Sequence, residues 1–88
     1  MANSIEMTAL CRTVEEAIKS ASNKSELSAP VTATSRMGEP REWDSLSFVV
    51  VFNAVAEAYD VMLEDDDAIH FTSIGAMHEF LIGLADAA

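Results

Sequence analysis

Apolar residues recur at the 3.6-residue period of a helix in three separate stretches of this chain, which commits its core to helices packed on helices. Met7, Leu10, Cys11, Val14, Ala17 and Ile18 form the first stripe, with Arg12, Glu15, Glu16 and Lys19 outside it. The spacing predicts a helix over about residues 4–20, capped by Asn3 with Glu6 three residues on; Thr13 and Glu16 would also fit a cap with a later start. Phe48, Val51, Phe52, Val55 and Tyr59 form the second stripe, from Asp44 to near Asp60. The valines there lean toward a strand, but length and periodicity outweigh them. Ile74, Met77, Leu81 and Leu84 repeat in a last helix that Thr72 or Ser73 can cap, and residues 64–71 supply one or two turns before it.

Between the first two stripes, residues 21–43 lose all periodicity and are rich in Ser, Thr, Asn, Pro and Gly. So long a connection in a small domain is usually functional or conceals a short helical turn. With 88 residues, half of them apolar, the whole chain is expected to form one domain. The expected fold is all-α, a four-helix bundle with a long loop between the first and second helices and a short third helix. So small a domain has little room for a walled-off active site.

The charge is uneven. Residues 1–41 hold five acids and all five bases, whereas residues 42–88 hold ten acids and no Lys or Arg, so the net −10 lies wholly in the second half. Such a field repels phosphate backbones and anionic lipid and draws in basic protein surfaces, so neither nucleic acid nor membrane insertion is expected. The single Cys11 permits no internal disulfide and no thiolate metal cluster, and it reads as a small core residue. With no long apolar run and one cysteine, the chain is expected to be cytoplasmic, and a monomer is the expected state.

Glu42-Trp43-Asp44-Ser45-Leu46 is the most informative run. Asp44 can cap the second helix, with Ser45 in its first turn, the hydroxyl exposed and free backbone amides nearby; a phosphate ester there would meet the positive end of the helix. Taken alone, Asp-Ser-Leu is most simply a pair of capping residues.

Over about forty residues, however, the chain resembles the acyl carrier protein family. The resemblance is carried by Asp44-Ser45-Leu46 opening the second helix, Glu57-Ala58-Tyr59-Asp60 closing it, Glu64 to Asp67 leading the third, and Phe71-Thr72-Ser73-Ile74 beginning the fourth. It implies a bundle of acyl-carrier type in which Ser45 carries 4′-phosphopantetheine, added by a separate phosphopantetheinyl transferase. The chain would then have no catalytic group and no metal. It would present acyl, aminoacyl or polyketide groups to acyl-loading, condensing or transferring enzymes with basic docking patches. Leu46, Glu57 and Asp60 are the implied partner-recognition residues. Phe48, Val49, Phe52, Leu63, Ala68, Phe71 and Ile74 could part to shelter an acyl chain, although the same seven would line a plain core, the favoured reading.

Ser47 and Val50 stand where many fatty-acid carriers have acids, and Trp43 replaces a small or acidic residue. These departures point to a specialised pathway rather than housekeeping fatty-acid synthesis. Other chemistries fit less well. Counted from Asp65, a calcium loop would need a Gly where His70 stands and a Glu where Ala76 stands. Ser45 lacks a G-x-S-x-G setting, and His70 and His78 are not at the i, i+4 zinc spacing. The alternative from another class is an acidic adaptor that binds basic partners and carries nothing on Ser45.

Overall fold

The computed structural model describes residues 5–87, with side chains described through residue 84. Its elements are α1 (Met7–Ser22), α2 (Ser45–Ala58), a 3₁₀ helix (Asp65–Phe71) and α3 (Ile74–Ala87). Among the described residues there is no strand, only isolated bridges from Arg36 to Glu39 and to Ser73. No described helix is long and apolar enough to cross a membrane.

The periodicity of α1 is the periodicity of its burial: Leu10, Val14, Ala17 and Ile18 are its buried residues. The helix begins later than the spacing predicts, because Glu6 is still extended and holds the N-cap position. Asn3 lies outside the described residues. Thr13 is not a cap, since its hydroxyl donates back to the Ala9 carbonyl at 3.1 Å inside the helix. Asn23 ends α1 in the left-handed region at φ 59°, and the Lys24 N–H returns to the Lys19 carbonyl at 3.1 Å. This closure satisfies a carbonyl that the helix end would leave without a partner.

The loop from Asn23 to Asp44 contains no helical turn. Its order comes from individual hydrogen bonds and from two anchors in the core, Val31 and Trp43. The Thr32 N–H donates to Ser35 Oγ at 2.8 Å, and the Ile74 N–H donates to the Ser35 carbonyl at 3.0 Å. With Met37 N–H on the Thr72 carbonyl at 2.9 Å, these bonds stitch the loop to the start of α3. Gly38, at φ 95°, supplies the positive φ that a side chain would resist, and its N–H reaches the Trp43 carbonyl at 2.9 Å. Trp43 itself is fully buried.

On α2 the buried residues Ser47, Val51 and Val55 form a narrow line at i, i+4, i+8. Phe48, Phe52 and Tyr59 pack against the core from its sides while remaining partly exposed. The helix ends as α1 does. Asp60 is left-handed at φ 54°, a conformation Asp tolerates better than most residues, and the Val61 N–H returns to the Ala56 carbonyl at 3.0 Å. Acidic residues then begin the 3₁₀ helix, where Asp67 Oδ2 accepts the Glu64 N–H at 2.9 Å. Of the two candidate caps for α3, Ser73 engages the helix, its Oγ accepting the Ala76 N–H at 3.2 Å. Ile74, Met77 and Leu81 are buried below it.

The helices α1 and α2 pack along each other, the 3₁₀ helix packs on α2 and α3, and among the described residues α2 and α3 make no direct backbone approach. Aromatic rings bridge the two. Phe48 stacks on Phe52 at 6.2 Å, Phe52 meets Phe71 edge-on at 5.1 Å, and Phe71 meets Phe80 of α3 edge-on at 5.7 Å. Phe71, wholly buried, is the centre of that series. Replacing it with Ala removes both edge contacts and opens a cavity, so Phe71→Ala should lower the unfolding free energy by about 3–5 kcal/mol in urea titration. A loss under about 1 kcal/mol would mean that the ring does not join the two helices.

Candidate functional site

Ser45 is the first residue of α2 and is exposed. Asp44, just before it, is the N-cap: its Oδ1 accepts the Leu46 N–H at 3.1 Å and the Ser47 N–H at 3.0 Å. Ser47 answers from inside the helix, its Oγ accepting the Asp44 N–H at 2.8 Å. This is a reciprocal capping box with Ser in the place usually held by Glu or Gln. The amides expected to be free beside Ser45 are therefore largely taken. Of the first three, only Ser45's own has no acceptor among the described residues, so a phosphate there would compete with Asp44 for the helix end. The hydrogen bonds from the Ser47 N–H foremost, and then from Leu46, hold the Asp44 carboxyl below its ordinary range.

No hydrogen bond among the described residues engages the Ser45 hydroxyl. Both roles that a serine plays at a helix start are filled by its neighbours, the cap by Asp44 and the buried return bond by Ser47. Its exposure and free hydroxyl are compatible with a phosphodiester substituent.

Ser47 also extends the cap inward. Its hydroxyl donates to the Glu42 carbonyl at 2.8 Å. The Glu42 carboxylate faces the other way, into the loop, where Oε1 accepts the Ser28 N–H at 3.1 Å and the Ser28 hydroxyl at 2.9 Å. Lys24 Nζ lies 3.5 Å from Oε2. The Ser28 N–H chiefly, against the opposing cost of burial, brings the Glu42 carboxyl down to about 2, with the Ser28 hydroxyl and Lys24 adding to the effect.

The implied partner residues separate into two groups. Leu46 adjoins Ser45 and is 82% exposed. Glu57 and Asp60 are also exposed, but Glu57 lies twelve residues along α2, about 18 Å away at 1.5 Å per residue. Of the residues expected to line an acyl pocket, Phe71 and Ile74 are wholly buried, and Phe48, Phe52, Leu63 and Ala68 are half-buried. Val49 does not belong with them. It is 53% exposed, because it lies off the line of Ser47, Val51 and Val55 and on the side of Leu46. With Leu46 and Val50 it makes an exposed apolar stripe at i, i+3, i+4, beginning one residue after Ser45. Met62 and Ile69, between α2 and α3 in the chain, are exposed as well.

A cleft of about 160 Å³ lies beside the cap, lined by Ala21, Ser22, Glu42, Asp44, Leu46 and Ser47. A second, of about 460 Å³, lies within the loop between Ser28 and Arg41. Neither is lined by the seven residues above. Among the described residues no three His, Cys, Asp or Glu side chains are grouped to hold a metal. Burial first, and then the Glu15 carboxylate, push the Cys11 thiol upward, the opposite of an activated nucleophile. His78 Nε2 lies 2.8 Å from the Ile5 carbonyl and so donates to it, while His70 stacks on Phe80 at 4.6 Å. Neither contact involves Ser45.

Ser47 and Glu42 carry this site and had no assigned role in the sequence. Ser47 was legible as the third residue after a capping Asp; Glu42 was not, since its partner Ser28 is fourteen residues away.

The Glu42 carboxyl sits at about 2 in the folded chain against an ordinary 4.5, so folding favours its ionised form. Its stabilising contribution is complete above about pH 4.5 and is lost as pH falls through about 2. Urea midpoints measured across that window should fall with pH, and Glu42→Gln should flatten the slope without abolishing it, since Asp44 shifts in the same direction. An unchanged slope in Glu42→Gln would contradict the carboxylate's role.

Compared with family models, curated proteins and solved structures, the chain finds a match in none of the three.

Proposed function

We propose that this chain is an acyl carrier protein, with Ser45 the attachment point for 4′-phosphopantetheine and with no catalytic group of its own. The observation that carries the reading is a division of labour at the start of α2. Asp44 caps the helix and Ser47 returns the bond, which leaves Ser45 exposed, unbonded and without a structural task. That removes the ground for taking Ser45 as a mere capping residue.

In the loading step, catalysed by a separate transferase, the Ser45 hydroxyl oxygen attacks the β-phosphorus of coenzyme A. A serine phosphodiester forms, the diphosphate bond breaks, adenosine 3′,5′-bisphosphate leaves, and the hydroxyl proton passes to base. Once attached, the prosthetic group supplies a thiol that holds acyl, aminoacyl or polyketide groups as thioesters. The chain's own residues hold and present. Asp44 and Ser47 fix the turn on which Ser45 stands, and Leu46, Val49 and Val50 offer apolar contact next to it. The stretch 42–88, which carries Ser45, has no Lys or Arg, and its net negative charge speeds and orients encounter with basic enzyme patches. Asp44 supplies charge directly before Ser45, and since α2 has no acid in its first turn, contact on the helical side of Ser45 is apolar. Specialised biosynthesis remains the setting that the departures at Trp43, Ser47 and Val50 suggest.

The same exposed stripe would serve an acidic adaptor that carries nothing. Intact-mass measurement after incubation with coenzyme A and a broad-specificity phosphopantetheinyl transferase separates the two. One phosphopantetheine increment is expected on the wild type and none on Ser45→Ala. An unmodified wild type, with the transferase active on a control carrier, would favour the adaptor.

A further inference from the structure

Glu42 bonds at both ends. Its carboxylate, side chain 7% exposed, gathers the Ser28 N–H, the Ser28 hydroxyl and Lys24 from the early loop. Its carbonyl accepts the Ser47 hydroxyl, which in turn accepts the Asp44 N–H. Ser28 Oγ further accepts the Arg41 N–H at 3.3 Å, so both ends of the loop meet at this one carboxylate. An unbroken series of hydrogen bonds thus runs from Lys24 and Ser28, through Glu42, to the cap that sets the Ser45 turn.

We infer that Glu42 is a positioning residue: it locks the Lys24–Ser28 segment against the Asp44–Ser47 cap, so that the surface flanking Ser45 is already formed when a modifying enzyme arrives. The inference rests on the reading of Ser45 as the attachment serine. A buried carboxylate with three donors holds a loop that has no secondary structure of its own to order it. Without that clamp, the segment must be ordered at each encounter, and the ordering entropy weakens association. Chemistry within the complex is spared, since the Ser45 hydroxyl and the Asp44 cap are untouched. The signature is a raised KM with kcat retained. Loss of global stability imitates it only where much of the chain is unfolded, since apparent KM rises as the inverse of the folded fraction; KM is therefore read on the folded fraction given by urea titration of each variant.

The test measures transfer from coenzyme A to the full chain by a phosphopantetheinyl transferase, with the chain as varied substrate. In Glu42→Ala, KM should rise roughly fivefold or more while kcat stays within about twofold. Glu42→Gln should fall between, because its amide oxygen can still accept from Ser28 but no longer attracts Lys24. Ser28→Ala, which removes one donor to Glu42 and the acceptor of the exposed Arg41 N–H, should raise KM about twofold and decides the matter if Glu42→Ala does not fold. Wild-type KM in a Glu42→Ala protein with a native far-UV spectrum would overturn the inference, as would wild-type KM in Ser28→Ala should Glu42→Ala be unfolded. A wild-type chain that the transferase leaves unmodified would overturn the attachment reading and this inference together, whereas unchanged KM in the variants overturns only this one.

Discussion

Much of this molecule depends on how the first turn of α2 satisfies its backbone. Helix starts leave amide donors without partners, and here a single carboxylate oxygen of Asp44 takes two of them. Ser47 replies from one turn inside, and because its hydroxyl is buried it also fastens the Glu42 carbonyl. A capping box is ordinarily a local device. Here it is joined to the core and the loop by residues on either side, Trp43 buried between Glu42 and Asp44 and the Glu42 carboxylate reaching back to Ser28. The serine between the two capping residues is spared every one of these tasks.

The second consequence concerns α2 itself. It is apolar nearly all round, yet its fully buried line is narrow, with Val51 and Val55 following Ser47. A helix of this composition would ordinarily be enclosed. Instead Leu46, Val49 and Val50 face solvent beside Ser45, and Phe48 and Phe52 turn to the aromatic series that reaches α3 through Phe71 and Phe80. Exposed apolar side chains thus stand within an acidic half of the chain, and the proposed docking of partners rests on that combination.

Sequence periodicity made the helices legible wherever burial followed it. The stripe of α1 matches its buried residues, and Ile74, Met77 and Leu81 are the buried side of α3. Local chemistry located the caps at Asp44 and Ser73, because an acceptor beside free amides acts over three residues. On α2 the stripe held as well: Val51 and Val55 are buried and Phe48, Phe52 and Tyr59 pack against the core, while Val49, off the stripe, faces water and was misplaced only as a pocket residue. The loop, by contrast, was illegible. Its order comes from pairings across long chain separations, Ser28 with Glu42 and Ser35 with Ile74, and from Trp43 entering the core, none of which leaves a repeating pattern. Trp43 was noticed in the sequence as a departure and proves to be a core residue. The start of α1 was missed by three residues because Glu6 remains extended at the cap position.

The account's central claim is that Ser45, relieved of any structural duty by Asp44 and Ser47, is the chain's point of covalent attachment. The most direct measurement is site-localising tandem mass spectrometry on the protein isolated from its native cells. The account predicts a phosphopantetheine-derived increment confined to the peptide containing Ser45, lost with the characteristic ejection of the pantetheine arm. A Ser45 peptide found only in unmodified form in cells that load other carriers, or the increment on a different serine, would contradict it.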